Sequence, residues 1–140
     1  MKVLPYYKEE TKRQCSAAIS LVDNINVLSK KESAIVTNYM SSCLIIDQWL
    51  SNGMDILTRE YVIPTQLWSD GIYVWNESHI YYVRKYRAKL PSAFISHIYE
   101  QVDIGYDPKG LNIGNLITKY ENISKKISEG DESFYDISYE

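Results

Sequence analysis

Apolar and aromatic residues are densest between positions 66 and 98, where their spacing changes from strand-like to helical. Two segments that begin and end with apolar residues, 63–68 and 72–75, flank the pair Asp70-Gly71. Asp-Gly between apolar runs is a strong turn signal, because Gly adopts a positive φ without steric cost. The pattern therefore predicts an antiparallel β-hairpin centred on this pair.

Two helices are predicted directly after the hairpin. Asn76 can cap the first helix with its side-chain carbonyl. Leu90-Pro91 ends that helix and begins the second, since proline is tolerated at the first helical position. From the helical spacing we expect a buried stripe in each helix. Its members are Ile80, Val83 and Tyr86 in the first helix, and Phe94, Ile95 and Ile98 in the second.

The N-terminal third of the chain predicts two more helices. Apolar residues between positions 9 and 28 recur at helical spacing, with Arg13 among the charged residues near the start. Ser29 and Glu32 fit a capping box, which predicts a helix over residues 30–42. The expected core-facing residues are Cys15, Ala18, Ile19, Val22 and Ile25 in the first helix, and Ala34, Ile35, Tyr39 and Met40 in the second.

The segment from position 43 to position 50 is ambiguous, because a short apolar run fits either a strand or a helix. We favour a continued helix there. After Gln101 we expect a loop, with a turn at residues 107–110, and then a last helix. The narrow apolar stripe of that helix consists of Ile113, Leu116, Tyr120, Ile123 and Ile127. The predicted fold class is α+β, mostly helical, with a small antiparallel β-hairpin.

The length of the chain predicts a single domain, and its charge distribution sets the C-terminal residues apart. A chain of 140 residues fits one hydrophobic core. All 15 Lys and Arg lie in residues 1–128 together with 13 of the 18 acidic residues, so this part carries +2, residues 129–140 carry −5, and the sum is the net charge of −3. This acidic tail also carries aromatic residues, which a simple solvated tail would have in smaller number.

Candidate chemistry in the chain is sparse. His79 and His97 are the only histidines, and we expect structural or surface roles for both. Cys15 and Cys43 are far apart and predict two buried thiols. No metal-ligand spacing, phosphate-binding loop or nucleophile motif is present, so we expect no cofactor, no metal and no catalysis. Neither a signal peptide nor an apolar run of about 20 residues is found, which predicts a cytoplasmic protein.

One alternative rests on the basic aromatic segment 81–89. Basic side chains there lie close to Tyr81, Tyr82 and Tyr86, and such groups contact phosphates and stack on bases. This pattern admits a small enzyme or a nucleic-acid-binding protein, with His97 as an added candidate. The acidic overall balance favours the solvated face of an amphipathic helix instead.

The segment from Ser69 to Ile98 also carries a family pattern. Its parts are Asp70-Gly71-x-Tyr73-Val74-Trp75, then Tyr81-Tyr82-Val83-x-x-Tyr86, then Leu90-Pro91-x-x-Phe94-x-x-His97-Ile98. This order resembles small bacterial immunity proteins encoded beside polymorphic toxins, including those of contact-dependent growth inhibition systems. In that family the segment that corresponds to residues 43–50 is often extended.

The resemblance implies a protein that binds and neutralises the C-terminal domain of a cognate toxin. Many such toxins are nucleases with basic clefts, which an acidic surface bearing aromatic side chains would complement. Two surfaces have that composition. The candidate toxin-binding residues are Glu129, Asp131, Glu132, Phe134, Tyr135, Asp136 and Tyr139 in the tail, and Asp70 and Tyr73 at the hairpin turn.

Overall fold

The computed structural model describes residues 1–12 and 15–140 and shows an α+β fold. The strands are β1 (Lys2–Val3), β2 (Leu44–Met54), β3 (Tyr61–Ser69) and β4 (Tyr73–Asn76). The helices are α1 (Lys30–Met40), α2 (Glu77–Tyr86), α3 (Ser92–Ile104) and α4 (Ile113–Ser128). Short 3₁₀ turns lie at Lys8–Glu10, Val22–Asn24 and Pro108–Gly110.

The sheet is larger than the predicted hairpin, and it is mixed. Its strand order is β1-β4-β3-β2. β1 pairs with β4 in parallel, whereas β3 is antiparallel to both β4 and β2. The α+β class is confirmed, but an isolated hairpin was too small a prediction. The additional strands, β1 and β2, lie in parts of the chain for which no strand was predicted.

The predicted hairpin is present as β3 and β4. Trp68 pairs with Trp75, and Ser69 pairs with Val74. Gly71 has a φ of 90°, which is the positive φ that the turn signal requires. The Asp70 carboxylate stabilises the turn, since its Oδ1 accepts hydrogen bonds from the next N–H groups along the chain, at positions 72 and 73.

The helix favoured for residues 43–50 is wrong, because this segment is part of β2. Ile45 pairs with Trp68 on β3, and Ile46 is buried on the face of the sheet that packs against α4. The strand continues beyond this segment, through Asn52 and Gly53 to Met54. Pairing with β3 decides the conformation, and periodicity in a short apolar run carries no information about a distant partner strand.

The helix predicted over residues 9–28 is also wrong where the chain is described. The Glu9 carboxylate accepts hydrogen bonds from the backbone N–H groups of Leu21 and Val22 and from the Ser20 hydroxyl. These bonds fold the segment back on itself, which a continuous helix does not allow. Arg13 and Gln14 lie outside the described residues.

The other helices are confirmed, with changes at their faces and ends. Ser29 caps α1 by accepting a hydrogen bond from the Glu32 N–H at 3.0 Å. Tyr39 and Met40 are buried as expected, but Ala34 is exposed and Ile35 only half-buried. The buried face is instead completed by Ser33, Val36 and Thr37. Helix α3 extends to Ile104, into the segment after Gln101 where a loop was expected. Pro91 is its N-cap.

Two apolar layers enclose the sheet. Side chains from α1, α2 and α3 pack on one face, around Trp75 and Phe94. Helix α4 packs on the other face through Leu116 and Ile123, which confirms the middle of its predicted stripe. At the ends of the stripe, Ile113 is exposed, and Ile127 is half-buried.

The acidic tail packs along the β1 edge of the sheet. Val3 forms a parallel bridge with Tyr135, with the Val3 N–H donating to the Phe134 carbonyl at 2.8 Å and the Asp136 N–H donating to the Val3 carbonyl at 3.1 Å. The tail therefore closes one edge of the sheet. The other edge is β2, and no strand in the described residues pairs with its outer side.

Candidate functional site

Asp70 is the centre of a buried polar cluster below the hairpin turn. Its Oδ2 accepts a hydrogen bond from the Tyr39 hydroxyl at 2.6 Å and lies 2.6 Å from His97 Nε2. Its backbone carbonyl accepts from the Tyr106 hydroxyl at 2.7 Å. We refer to Tyr39, Asp70, His97 and Tyr106 as the Asp70 cluster. Its hydrogen bonds connect α1, the hairpin turn, α3 and the loop after α3.

The charge on Asp70 is stabilised inside the protein. Burial alone would raise the pKa of this carboxyl, because water no longer solvates the charged form. Hydrogen bonds from His97, Tyr39 and two backbone N–H groups outweigh that effect and hold its pKa below the usual value. Cys43 lies nearby, and burial raises the pKa of its thiol to about 12. A thiol that stays protonated at neutral pH is a poor nucleophile.

The candidate toxin-binding residues at the hairpin turn are buried in this cluster or beside it. Asp70 is 0% exposed and Tyr73 is 8% exposed. The Tyr73 hydroxyl donates to Asp136 Oδ2 at 2.8 Å, so the hairpin holds the tail from inside. A partner cannot contact Asp70, Tyr73 or Asp136 while the tail is docked.

The tail itself presents a carboxylate surface. Phe134, Tyr135 and Tyr139 are half-buried, with Phe134 and Tyr135 against the α4 side of the sheet. Glu129, Asp131 and Glu132 are exposed. Glu132 also accepts a hydrogen bond from the Ser16 N–H, which fixes its position. Toxin binding by the tail stays a prediction. Of its candidate residues, the exposed carboxylates are the ones that a partner can reach.

The basic aromatic segment 81–89 contacts another buried carboxylate. Asp55 Oδ2 accepts from the hydroxyls of Tyr81 and Tyr86, each at 2.7 Å, and forms an ion pair with Lys85 at 3.4 Å. Tyr82 is fully buried. These contacts fasten the loop between β2 and β3 to α2. The tyrosines that suggested base stacking therefore form contacts within the fold.

His79 has a structural role, as expected. Its ring is buried, and Nδ1 accepts a hydrogen bond from the Asn76 N–H at 3.0 Å. Nε2 lies 2.9 Å from the Pro5 carbonyl and donates to it as the remaining protonated nitrogen. Burial lowers the pKa of His79 to about 4, so the ring is neutral at physiological pH. It connects the N-terminal segment to the start of α2.

A pocket of about 230 Å³ lies between the N-terminal segment, β3 and the start of α2. Among its lining residues are Glu9, Glu10 and Glu77, and no Lys or Arg of the described chain lines it. Removal of the Glu10 carboxyl from water raises its pKa to about 7. This carboxyl accepts one backbone hydrogen bond, from the Tyr7 N–H at 2.9 Å. The pocket therefore holds a destabilised negative charge at neutral pH.

Several exposed large apolar side chains lie along the outer half of the β2–β3 ribbon. Trp49 is 52% exposed and Leu50 is fully exposed on β2, and Tyr61 is 70% exposed on β3. Val62 is next to Tyr61 and is also exposed. We call Trp49, Leu50, Tyr61 and Val62 the ribbon patch. Large apolar side chains that a monomer leaves exposed in one region mark a candidate interaction surface.

Neither a family model nor a curated protein nor a solved structure matches this chain. In the described parts of the chain, no group of three or more His, Cys, Asp or Glu residues could hold a metal ion. No helix among those residues is both long and apolar enough to cross a membrane. Cys15 and Cys43 are buried free thiols, as predicted.

Sequence reasoning missed the ribbon patch. A signal was available in the run Gln48-Trp49-Leu50-Ser51, where two large apolar residues stand between polar ones. The helix favoured for this segment obscured it. Both side chains are exposed at this point of β2.

Proposed function

We propose that this chain is a cytoplasmic immunity protein that binds and neutralises the C-terminal domain of a cognate toxin, without catalysis of its own. The ribbon patch is the observation that carries the proposal. Trp and Tyr are enriched among residues that dominate binding energy, and they lose little side-chain entropy on binding. A partner that buries these rings would gain from apolar burial that the free protein leaves unused.

Charge supports the same function. The exposed tail carboxylates Glu129, Asp131 and Glu132 give this protein an acidic region. A toxin that acts on nucleic acid has a basic cleft, and complementary charge accelerates association with such a cleft. The carboxylates and the ribbon patch would then act at different stages, with charge governing the encounter and the aromatic side chains governing the lifetime of the complex.

Replacing Trp49 by Ala tests the ribbon patch. We expect the affinity for the toxin domain to fall at least about 30-fold, because a buried aromatic anchor contributes about 2 kcal/mol or more. Titration calorimetry with the C-terminal domain of the secreted protein encoded beside this chain would measure it. Ile104→Ala is the control, since Ile104 is equally apolar and 71% exposed but lies at the end of α3. Unchanged affinity of Trp49→Ala would remove the patch from the interface.

Reversing charge in the tail tests the steering role. Deleting the tail would also uncover β1, so point substitutions are the sharper experiment. For the double variant Glu129→Lys and Asp131→Lys we expect a several-fold slower association at low salt, and a difference that shrinks at high salt because mobile ions screen exposed charges. Stopped-flow association rates at two salt concentrations measure this. Equal rates for the variant and the wild type at low salt would exclude the tail from steering.

A further inference from the structure

The two edges of the sheet are treated differently by the fold. The tail covers β1, which has only two residues. The opposite edge is β2, with eleven residues, and in the described chain nothing pairs with its outer side. An open edge presents unpaired backbone donors and acceptors that another strand can use. The fold therefore protects its short edge and exposes its long one.

Common protective features are mostly missing from β2. Lys and Pro on an edge strand discourage pairing with other chains, and β2 has neither. Asp47 is its only charged residue. Register shifts at three points bend the ribbon, but Asp47, Gln48 and Trp49 pair in unbroken register with Leu67, Gln66 and Thr65. This short regular stretch is the part of the edge that another strand can extend.

One backbone N–H group in that stretch forms a hydrogen bond that an incoming strand could replace. The Gln48 N–H donates to the Asp47 carboxylate at 2.9 Å rather than to a neighbouring strand. Alternate residues of an antiparallel strand direct their N–H groups away from the partner, so the open edge is where this N–H would meet an incoming carbonyl. Such an exchange would release the Asp47 carboxylate for a new partner.

A groove with negative charge adjoins the same stretch. It has a volume of about 180 Å³ and lies between β2, β3 and α4. Asp47 and Glu121 line it together with apolar residues that include Ile46 and Ile117, and no Lys or Arg of the described chain does. A long side chain with an apolar stem and a cationic head fits both parts of this lining.

We propose that an extended segment of the toxin domain pairs with β2 at Asp47–Trp49 as a fifth strand and places a Lys or Arg side chain between Asp47 and Glu121. The inference rests on the proposed function and specifies its binding mode. A second copy of this chain is the less suitable occupant. It would bring another Asp47 and Glu121 to the edge, and like charges on neighbouring strands destabilise pairing.

The test follows the Gln48 amide by hydrogen exchange in the free protein and with the adjacent toxin domain bound. We expect exchange at Gln48 to slow at least about 100-fold in the complex, because strand pairing protects backbone N–H groups. We also expect the double variant Asp47→Asn and Glu121→Gln to bind at least about 10-fold more weakly, as a buried cation loses both partners. Glu100→Gln on α3 is the matched control for lost charge.

Each outcome separates the binding mode from the function. A complex of wild-type affinity in which Gln48 exchanges as fast as in the free protein would overturn strand addition and leave the immunity function standing. Protection of Gln48 in the free protein at high concentration, with a dimer in sedimentation, would assign the edge to a second copy. No binding of the toxin domain to the wild-type chain would overturn both proposals.

Discussion

Replacing Asp70 by Ala is expected to lower the free energy of unfolding by about 3 to 5 kcal/mol, the cost of breaking a buried charged network. Tyr39 and His97 would lose their shared acceptor, and the Ile72 and Tyr73 N–H groups would lose the turn bond. Buried donors without acceptors carry the full cost of lost solvation. Urea denaturation followed by tryptophan fluorescence measures the change.

Two variants divide this effect. Tyr39→Phe removes one hydrogen bond to the charged carboxylate and should cost about 1.5 to 3 kcal/mol. Asp70→Asn keeps one oxygen for the turn and loses an acceptor for the other donors, so its effect should lie between those of Tyr39→Phe and Asp70→Ala. Because the pKa of Asp70 is lowered by folding, its contribution is present above the unfolded pKa of about 3.8 and is lost as the pH falls further. A loss below about 1 kcal/mol for Asp70→Ala would contradict this description of the cluster.

Replacing Glu10 by Gln is expected to stabilise the protein, relative to the wild type, more at pH 8 than at pH 4.5. The pKa of Glu10 is about 7 in the folded protein, whereas that of an unperturbed glutamate carboxyl is about 4.5. A raised pKa in the folded state favours folding below pH 4.5, and this contribution is lost as the pH rises through 7. The difference between the variant and the wild type should therefore grow by about 3 kcal/mol between pH 4.5 and pH 8.

The comparison of two pH values isolates the charge of Glu10. Gln can still accept the Tyr7 N–H bond, so the substitution removes ionisation and keeps the contact. Urea denaturation of both proteins at pH 4.5 and pH 8 gives the four free energies that are needed. The exposed Glu100→Gln variant should show no such growth. A difference that is independent of pH would mean that Glu10 titrates as an ordinary surface carboxyl.

Local signals predicted the parts of the fold that local interactions decide. The Asp70-Gly71 turn, the Ser29 cap of α1 and the apolar stripe of α4 each depend on residues a few positions apart. The sequence could not show that β2 is a strand, because its conformation depends on pairing with β3. Nor could helical spacing in residues 9–28 show that Glu9 bonds the backbone around Leu21.

The candidate site was predicted in composition but not in placement. Asp70 lies at the predicted turn and accepts its N–H groups through Oδ1, whereas Oδ2 contacts Tyr39 and His97 on distant helices. Aromatic residues in the tail were expected to contact a partner, and in this structure they pack inward while Glu129 and Asp131 face water. Which side of an alternating segment is buried depends on the surface that it meets, and one-dimensional patterns do not contain that surface.

The proposed immunity function is tested most directly by co-expressing this chain with the C-terminal domain of the secreted protein encoded beside it. Cell survival and co-purification are the two readouts, with Trp49→Ala as the variant that should weaken both. For the wild type we expect survival and a stable one-to-one complex. Cell death without a complex would contradict it and would redirect attention to the exposed basic side chains Arg84 and Lys85.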